Sequence, residues 1–581
     1  SGAGGGTLDL AHLREELLKH ADSPLKVGSF SACSNVTGFV EQVDAVTSLL
    51  HSHGALSFWD YATAAPYLPM DMNPSSASTT SESSESSSSS NLLLRKDAVF
   101  FSPHKFVGGA NAPGVLVVKR RLLGHGIVPT APGGGTVFYV SEQSHRYLSN
   151  REEREEGGTP DLVGAVRVAL AFRLKYLAGG NAMVTQQHRA NLGQALTSLR
   201  ACSPTLVLLG DDAKHGVTTL GVEKVEAGVH AVEEGSDDPS RRLPIFSFLV
   251  RWAPTPSGGG DLTNKGGKGG RFLHYNFVGA LLNDLFGVQT RGGCQCAGPY
   301  SQRLLGLTKM TSDAVEKLLV HDKLELLRPG YSRFSLPYCM SPTEVNYVLK
   351  CVAFVSEKGW LFLPQYRLDH RTGECKHRTR ATRFPERKWL TSGFNLNTHA
   401  ASIASASSSS SSVASSSVAA LGDGGSEANA KLGEAELGVY LDGLLAQAHA
   451  LADDIVLKAA NSKKTATAAA KNKNKKTTNQ TQTRDVGDRG EDTAELFGSA
   501  ESCRWYVLPS EAHDALTALE SGTQSEALTS LLSSCRPQGP VQPPAMRLTT
   551  AAAAAVVMAD NDGNFDEGEG GGGGVNGGRG G

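Results

Sequence analysis

The first hundred residues alternate between two hydrophobic periods, and this alternation limits the possible folds more than any other feature of the sequence. Apolar residues recur at near-helical spacing in residues 8–18 and 40–50, which predicts two helices. Extended apolar runs at residues 25–32, 55–59 and 98–101 predict three strands. Strands that alternate with helices are typical of a parallel sheet, whose ligands bind beyond the carboxyl ends of the strands. The sequence therefore predicts an α/β fold with a ligand site at that edge.

Polar residues follow each of the three predicted strands. Asn35 comes after the first strand, Asp60 ends the second, and the run Ser102-Pro103-His104-Lys105 comes after the third. A buried lysine amine near other cations is able to lose its proton and attack an aldehyde, and a carboxylate keeps a proton on a pyridine nitrogen. We therefore predict that Lys105 holds pyridoxal phosphate as a Schiff base and that Asp60 pairs with the ring nitrogen.

Groups that bind phosphate stand close to this lysine in the sequence. Ser102 offers a hydroxyl and His104 an imidazole, and the turn Gly157-Gly158-Thr159 offers backbone amides before a predicted helix at residues 161–177. Each of these residues by itself is more typical of a solvated turn or a strand-end cap. Their combination with Lys105 and Asp60 favours a cofactor site.

The sequence predicts three regions. Residues 1–180 form a cofactor-binding large domain, interrupted at residues 74–91 by a Ser-rich insertion that has no apolar surface to bury. Residues 181–399 form a smaller α+β domain, with strands at 205–209 and 245–251, helices at 277–286 and 344–355, and a Gly/Lys loop at 258–270. Residues 400–581 form a low-complexity, largely disordered extension, in which a helix at 436–455 and an apolar piece at 504–508 are the candidates for packing onto the body.

Charge and cysteine content narrow the range of partners. The formal net charge of -2 produces no field that would attract nucleic acid or an anionic membrane surface, so we expect neither as a partner. Nine cysteines are an odd number, and only Cys294 and Cys296 lie close together. That pattern argues against a disulfide framework and a metal site, and it favours a reducing compartment.

Five ordered motifs resemble those of the class V aminotransferases and cysteine desulfurases. They are Ser34-Asn35-Val36-Thr37-Gly38, Asp60-Tyr61-Ala62, Ser102-Pro103-His104-Lys105, Gly157-Gly158-Thr159-Pro160 and Arg291-Gly292-Gly293-Cys294-Gln295-Cys296-Ala297. The spacings agree as well, since Asn35 precedes Asp60 by 25 positions (60 minus 35) and Arg291 precedes Cys296 by 5 (296 minus 291). The resemblance covers residues 8–396.

The resemblance implies a fold, a cofactor and residue roles. It implies fold type I of the pyridoxal-phosphate enzymes, with Lys105 forming the Schiff base and Asn35, Asp60, Ser102, His104 and Thr159 contacting the cofactor. It also implies a homodimer, with Thr159 reaching across the interface. The substrate is then an amino acid, held by Asn35, Arg291 and Arg333, and Cys296 matches the desulfurase nucleophile.

Some positions depart from the family pattern and keep several functions open. Thr63 stands where desulfurases usually carry glutamine, and Cys294 and Gln295 replace histidines before the nucleophile. In the family, an upstream segment carries a phosphate-binding turn and a residue stacked on the cofactor ring. We do not recognise that segment here, so we expect this chain to be incomplete at its amino end. Transamination or a related lyase step is the first hypothesis, desulfuration through Cys296 the second, and a degenerate homologue that acts as an interaction scaffold the third.

Overall fold

The computed structural model describes residues 7–74, 92–124, 128–129, 133–202, 205–210, 241–252, 271–379, 425–472 and 504–519. The helices are Leu10–Lys19 (α1), Val43–Ser52 (α2), Arg151–Glu155 (α3), Leu162–Leu177 (α4), Gly180–Ala201 (α5), Tyr275–Phe286 (α6), Gly298–Leu304 (α7), Lys309–Val320 (α8), Pro342–Lys358 (α9), Gly425–Asn472 (α10) and Pro509–Leu519 (α11). Short 3-10 turns occupy Pro103–Lys105, Arg120–Leu122, Glu325–Leu327 and Gly359–Gln365. Most of the predicted Ser-rich insertion, the Gly/Lys loop and the tracts at 400–420 and 568–581 lie outside the described residues.

The strands form two four-stranded sheets and two hairpins within the described residues. They are Val27–Ser31 (β1), Leu56–Asp60 (β2), Ala98–Phe101 (β3), Val115–Val118 (β4), Val137–Val140 (β5), His145–Tyr147 (β6), Leu206–Leu208 (β7), Ile245–Val250 (β8), Arg291–Gly293 (β9), Tyr331–Ser335 (β10), Tyr366–Leu368 (β11) and Cys375–His377 (β12). The architecture is mixed α/β, which confirms the coarse fold class that the alternating periods predict.

The first sheet has the order β1-β2-β3-β4. Strands β1, β2 and β3 are parallel, as predicted, and β4 adds an antiparallel edge strand that the sequence analysis did not identify. Helix α2 packs on this sheet through a buried polar contact, because the Trp59 indole N–H donates to Thr47 Oγ1 at 2.9 Å and to Ser57 Oγ at 2.8 Å. The contact fixes α2 against β2 without leaving a buried donor unpaired.

The second sheet, with the order β7-β8-β10-β9, is antiparallel throughout. Every residue of β8 is buried, so this strand lies at the centre of the larger hydrophobic core. Helix α9 begins with a capping box, in which Ser341 Oγ accepts from the Glu344 N–H and a Glu344 carboxylate oxygen accepts from the Ser341 N–H. The strands and helices predicted for residues 205–209, 245–251, 277–286 and 344–355 are confirmed, with shifted ends.

Two segments of the predicted extension pack on the elements around the second sheet. Helix α10 lies against α9, where His449 contacts the Phe354 ring at 4.8 Å and Lys350 pairs with Asp442 at 2.9 Å. Tyr506 forms a parallel bridge with Phe272, and α11 packs against the turn Gly359–Gln365. The boundaries drawn at residues 180 and 399 stay predictions.

Among the described residues, the structure contains no helix with the length and apolarity needed to cross a membrane.

Candidate active site

The carboxyl ends of β1, β2 and β3 bring the first predicted site residues to one edge. Asp60 is the last residue of β2, where it is paired with Ser31 of β1 and Phe100 of β3. Lys105 ends the 3-10 turn that follows β3, and its N–H donates to the Ser102 carbonyl at 3.0 Å. Because parallel strands end together, Asp60 and Lys105 lie at the same edge of the sheet.

The electrostatic surroundings of Lys105 include four of the other predicted site residues. Lys105 is exposed as a residue, but partial burial lowers the pKa of its amine. Asp60 raises this pKa, Arg333 lowers it, Cys296 raises it and Arg291 lowers it. The net pKa is below the ordinary lysine value. A larger neutral fraction of the amine makes it a better nucleophile toward a carbonyl group.

Asp60 is oriented by its own turn. Its Oδ1 accepts a hydrogen bond from the Ala62 N–H at 2.7 Å. This bond occupies one carboxylate oxygen and fixes the side chain where β2 ends, beside the turn that carries Lys105. A carboxylate with further lone pairs free to accept is the type of group that pairs with a protonated ring nitrogen.

Asn35 connects the two sheets. Its Nδ2 donates to the Gln295 carbonyl at 2.6 Å, and its own carbonyl accepts from Arg333 Nη1 at 2.8 Å. These bonds join residues 260 and 298 positions apart in the chain. The loop after β1 is therefore attached directly to the cysteine loop and to β10.

Two arginines lie opposite each other on neighbouring strands. Arg333 of β10 and Arg291 of β9 are paired in the sheet register. Burial, followed by the charge of Arg291, lowers the pKa of the Arg333 guanidinium. Two cations held this close favour an anion near them, and a carboxylate matches the planar geometry of guanidinium.

The loop after β9 holds Cys296 in an uncommon backbone conformation. Gln295 and Cys296 both have positive φ, at 57° and 62°. Arg291 Nη2 donates to Cys296 Sγ at 3.0 Å, and Gln295 Nε2 donates to the Arg291 carbonyl at 2.9 Å. Consecutive left-handed residues other than glycine persist only where the surrounding structure holds them. The thiol of Cys296 is exposed, and side-chain contacts hold the loop that carries it.

Gln295 organises this loop, although the sequence marked it only as a departure from the family pattern. Its side chain is almost fully buried, and its Oε1 is among the buried polar atoms of the described residues that lack a hydrogen-bond partner. The signal available in the sequence was an amide beside the predicted nucleophile, a residue type able both to donate and to accept.

Cys294 has a different environment from Cys296. Its Sγ donates to the Pro329 carbonyl at 3.1 Å, and burial raises the pKa of its thiol. The Cys294 carbonyl accepts from Ser301 Oγ at 2.9 Å and from the Tyr331 hydroxyl at 3.3 Å. These contacts place Cys294 in the packing of the loop.

The residues predicted to bind the cofactor phosphate lie on two separate turns. Ser102 is half-buried, His104 is exposed, and both flank Pro103 at the start of the Lys105 turn. Thr159 is exposed in the turn before α4, where the Gly158 N–H donates to the Gly134 carbonyl at 2.8 Å. No hydrogen bond in the described part of the chain joins Thr159 to Lys105.

No group of three or more His, Cys, Asp and Glu side chains in the described ranges is arranged to hold a metal ion. The donor set at this edge is instead one amine, one carboxylate, a hydroxyl and an imidazole. It matches the aldehyde, ring nitrogen and phosphate of pyridoxal phosphate in chemical type.

Comparison with known protein families gives one match, over part of the chain. Residues 4–84 and 93–234 match the model of the aminotransferase class-V family. Members of that family normally use pyridoxal phosphate.

Two relatives are named as cysteine desulfurases. A probable cysteine desulfurase 2 of Mycobacterium leprae is 30% identical over 329 residues, which are 56% of this chain and 60% of the relative. A cysteine desulfurase of Escherichia coli O6:H1 is 27% identical over 231 residues, which are 40% of this chain and 49% of the relative. The chain thus spans less than two thirds of the length of either relative.

Among solved structures, the apo cysteine desulfurase from Thermococcus onnurineus NA1 matches with a TM-score of 0.41 and 20% identity. That match covers 61% of this chain and 65% of the other.

Proposed function

We propose that this chain carries the catalytic site of a fold type I pyridoxal-phosphate enzyme that acts on an amino acid. The observation that carries the proposal is the position of Lys105, whose amine is influenced by Asp60, Arg333, Cys296 and Arg291 together. All five residues were predicted from the sequence, and they come from four separate stretches of the chain. The match of residues 4–84 and 93–234 to the aminotransferase class-V family model supports the same cofactor.

The residues would divide the cofactor between them. Lys105 would hold it covalently, Asp60 would keep the proton on its ring nitrogen, and Ser102 and His104 would bind its phosphate. When bound, pyridoxal phosphate supplies an electron sink for bond cleavage next to the amino group of a substrate. The lowered pKa of Lys105 also suits a residue that accepts and returns a proton during the reaction.

Arg333 and Arg291 would bind the substrate carboxylate. The two guanidinium groups oppose each other in the register of β10 and β9, so an anion would relieve their mutual repulsion. Asn35 holds Arg333 through its carbonyl, which keeps one donor of the fork in place. Recognition of a carboxylate beside a reactive amine is what an amino-acid substrate requires.

Cysteine desulfuration is the reaction that the position of Cys296 favours over transamination. Its thiol is exposed, contacts Arg291, and lies close enough to Lys105 to influence the pKa of the amine. The thiol would take the sulfur of a cysteine substrate: the substrate C–S bond breaks, an S–S bond forms at Sγ, and alanine leaves. Relatives named cysteine desulfurases support this choice.

Absorbance spectroscopy tests the cofactor. The full chain is mixed with pyridoxal phosphate, and its spectrum is recorded before and after borohydride, with peptide mapping of the reduced adduct. We expect a reducible band and an adduct on Lys105, both absent from Lys105→Ala and retained in Lys309→Ala, a lysine with 91% of its side chain exposed. A reducible band that survives Lys105→Ala contradicts the proposal, and a colourless wild-type chain favours the interaction scaffold.

Sulfide release from cysteine then separates the two reactions. Cys296→Ala should abolish release in the presence of a reductant and keep the absorbance band, whereas Cys339→Ala, which removes another exposed thiol, should change neither. Full release by Cys296→Ala excludes this role and returns transamination to first place.

A homodimer is the second part of the proposal. Helix α4 exposes a row of apolar side chains, among them Val163 at 64%, Val166 at 59% and Leu170 at 52%. A surface of this type is typical of a protein interface, and exposed Thr159 stands at its edge. Sedimentation should give twice the mass of the chain, and Val166→Glu combined with Leu170→Glu should give a folded monomer. A monomeric wild-type chain contradicts the dimer.

A further inference from the structure

The segment of residues 504–519 is attached to the second domain by main-chain and ionic contacts. The Phe272 N–H donates to the Trp505 carbonyl at 3.2 Å, and the Val507 N–H donates to the Phe272 carbonyl at 3.0 Å. The buried guanidinium of Arg504 donates to both carboxylate oxygens of Glu511 at 2.8 Å. Glu511 also accepts from the Leu508 N–H at 2.8 Å and contacts Arg271. The 504–519 segment is therefore held in one position against the strand-like stretch before α6.

Trp505 forms one end of an aromatic stack. Its ring lies 6.0 Å from that of Tyr275 with an interplanar angle of 15°, and 5.3 Å from that of His274 at 27°. Its indole N–H donates to the Leu327 carbonyl at 3.4 Å. Burial lowers the pKa of His274 to about 3, so this ring is neutral at ordinary pH and stacks without a charge to solvate.

Tyr275 continues the stack to the strand that bears Arg291. A Cβ atom on Gly292 would lie 2.5 Å from a carbon of the Tyr275 ring, and one on Gly330 would lie 2.6 Å from another. The ring therefore lies close to the backbone of β9 and of the turn before β10. The Tyr275 ring thus contacts both Trp505 and the strand that leads into the Cys296 loop.

We propose that the 504–519 segment holds the Cys296 loop in its left-handed conformation, with Trp505 as the positioning residue that acts through Tyr275. The loop needs such support, since Gln295 and Cys296 are both left-handed. This inference rests on the proposed function only in naming the loop as catalytic. The contact itself exists whether or not a cofactor binds.

Hydrogen exchange measured by mass spectrometry tests the proposal without a cofactor. In the full chain, Trp505→Ala should speed exchange of the amides of residues 292–297 about tenfold, which corresponds to about 1.4 kcal/mol of local stability. Trp505→Phe retains a flat ring and should stay near the wild-type rate. The matched control is His449→Ala, which removes an aromatic contact between α10 and α9 but none with Tyr275.

Glu511→Gln provides a second variant if Trp505→Ala does not fold. It weakens the bonds to Arg504 and Arg271 and leaves the stack intact, so residues 292–297 should again exchange faster, by a smaller factor. Unchanged exchange at residues 292–297 in both variants overturns the inference. So does equal acceleration in His449→Ala, because a general loss of domain stability would then account for the effect. Failure of the cofactor test would leave these outcomes unaffected.

Discussion

Lys175 is a buried cation whose replacement by methionine should stabilise the folded chain. It lies on α4 with 7% of its surface exposed, and its Nζ donates to the Ala65 carbonyl at 3.1 Å. The ammonium also lies 5.7 Å from the centre of the Phe106 ring. Burial lowers the pKa of Lys175 from 10.5 to about 8.

The sign of the effect follows from the two pKa values. Between about pH 8 and 10.5 the unfolded chain binds more protons at this residue than the folded chain, so stability rises with pH across that window. Below about pH 8 the penalty is present in full. A difference of 10.5 minus about 8 corresponds to about 3 kcal/mol. The cation–π contact returns about 0.5–2 kcal/mol, so Lys175→Met should gain about 1–2 kcal/mol at pH 7.

Urea denaturation of both chains at pH 7, 9 and 10 measures this gain. The advantage of Lys175→Met should be largest at pH 7 and shrink steadily as the pH rises through the window. Lys309→Met, at an exposed position of α8, should show no such trend. A pH-independent difference, or a variant less stable than wild type by more than about 1 kcal/mol at pH 7, would refute the reasoning.

Three further changes test other parts of the structure. Asp97→Asn should cost about 1.5–3 kcal/mol in urea denaturation at pH 7. Burial raises the pKa of this carboxyl, but bonds from Ser57, His51 and Arg121 lower it overall, so the cost should fade as the pH drops below about 4. Ser341→Ala should cost about 1 kcal/mol in thermal unfolding because it removes the cap of α9, and Ser341→Thr should cost less. Arg333→Gln should raise the pKa of Lys105 and so slow its labelling by an amine reagent at pH 8, as measured by peptide mapping against Lys309. An unchanged labelling rate would contradict the electrostatic coupling.

Local patterns predicted the first sheet well. The apolar runs of β1, β2 and β3 and the helical spacing of α2 are complete within short windows, so no distant residue was needed to recognise them. Helix α5 was missed because its buried face includes His188 and Asn191, which interrupt the apolar pattern. Strand β4 was missed as well, being a four-residue edge strand half of whose side chains are exposed.

The candidate site was likewise predicted only in part from the sequence. The nearness of Asp60 and Lys105 follows from adjacent parallel strands, which the sequence implied. The role of Gln295 could not be predicted from the sequence, because its carbonyl accepts from Asn35 only when residues 260 positions apart are brought together. The contact of Trp505 with Tyr275 likewise joins the predicted extension to the second domain.

The sequence by itself determined the alternation of strands and helices, the polar residues at the strand ends and the family to which those motifs point. These features depend on the chemistry of neighbouring residues and on the period of apolar side chains. Only the tertiary structure decided that Arg333 faces Arg291, that Cys296 occupies a left-handed loop and that Trp505 supports the strand before it. Those arrangements depend on packing between distant segments, and no local period encodes the partner that a side chain meets across a folded core.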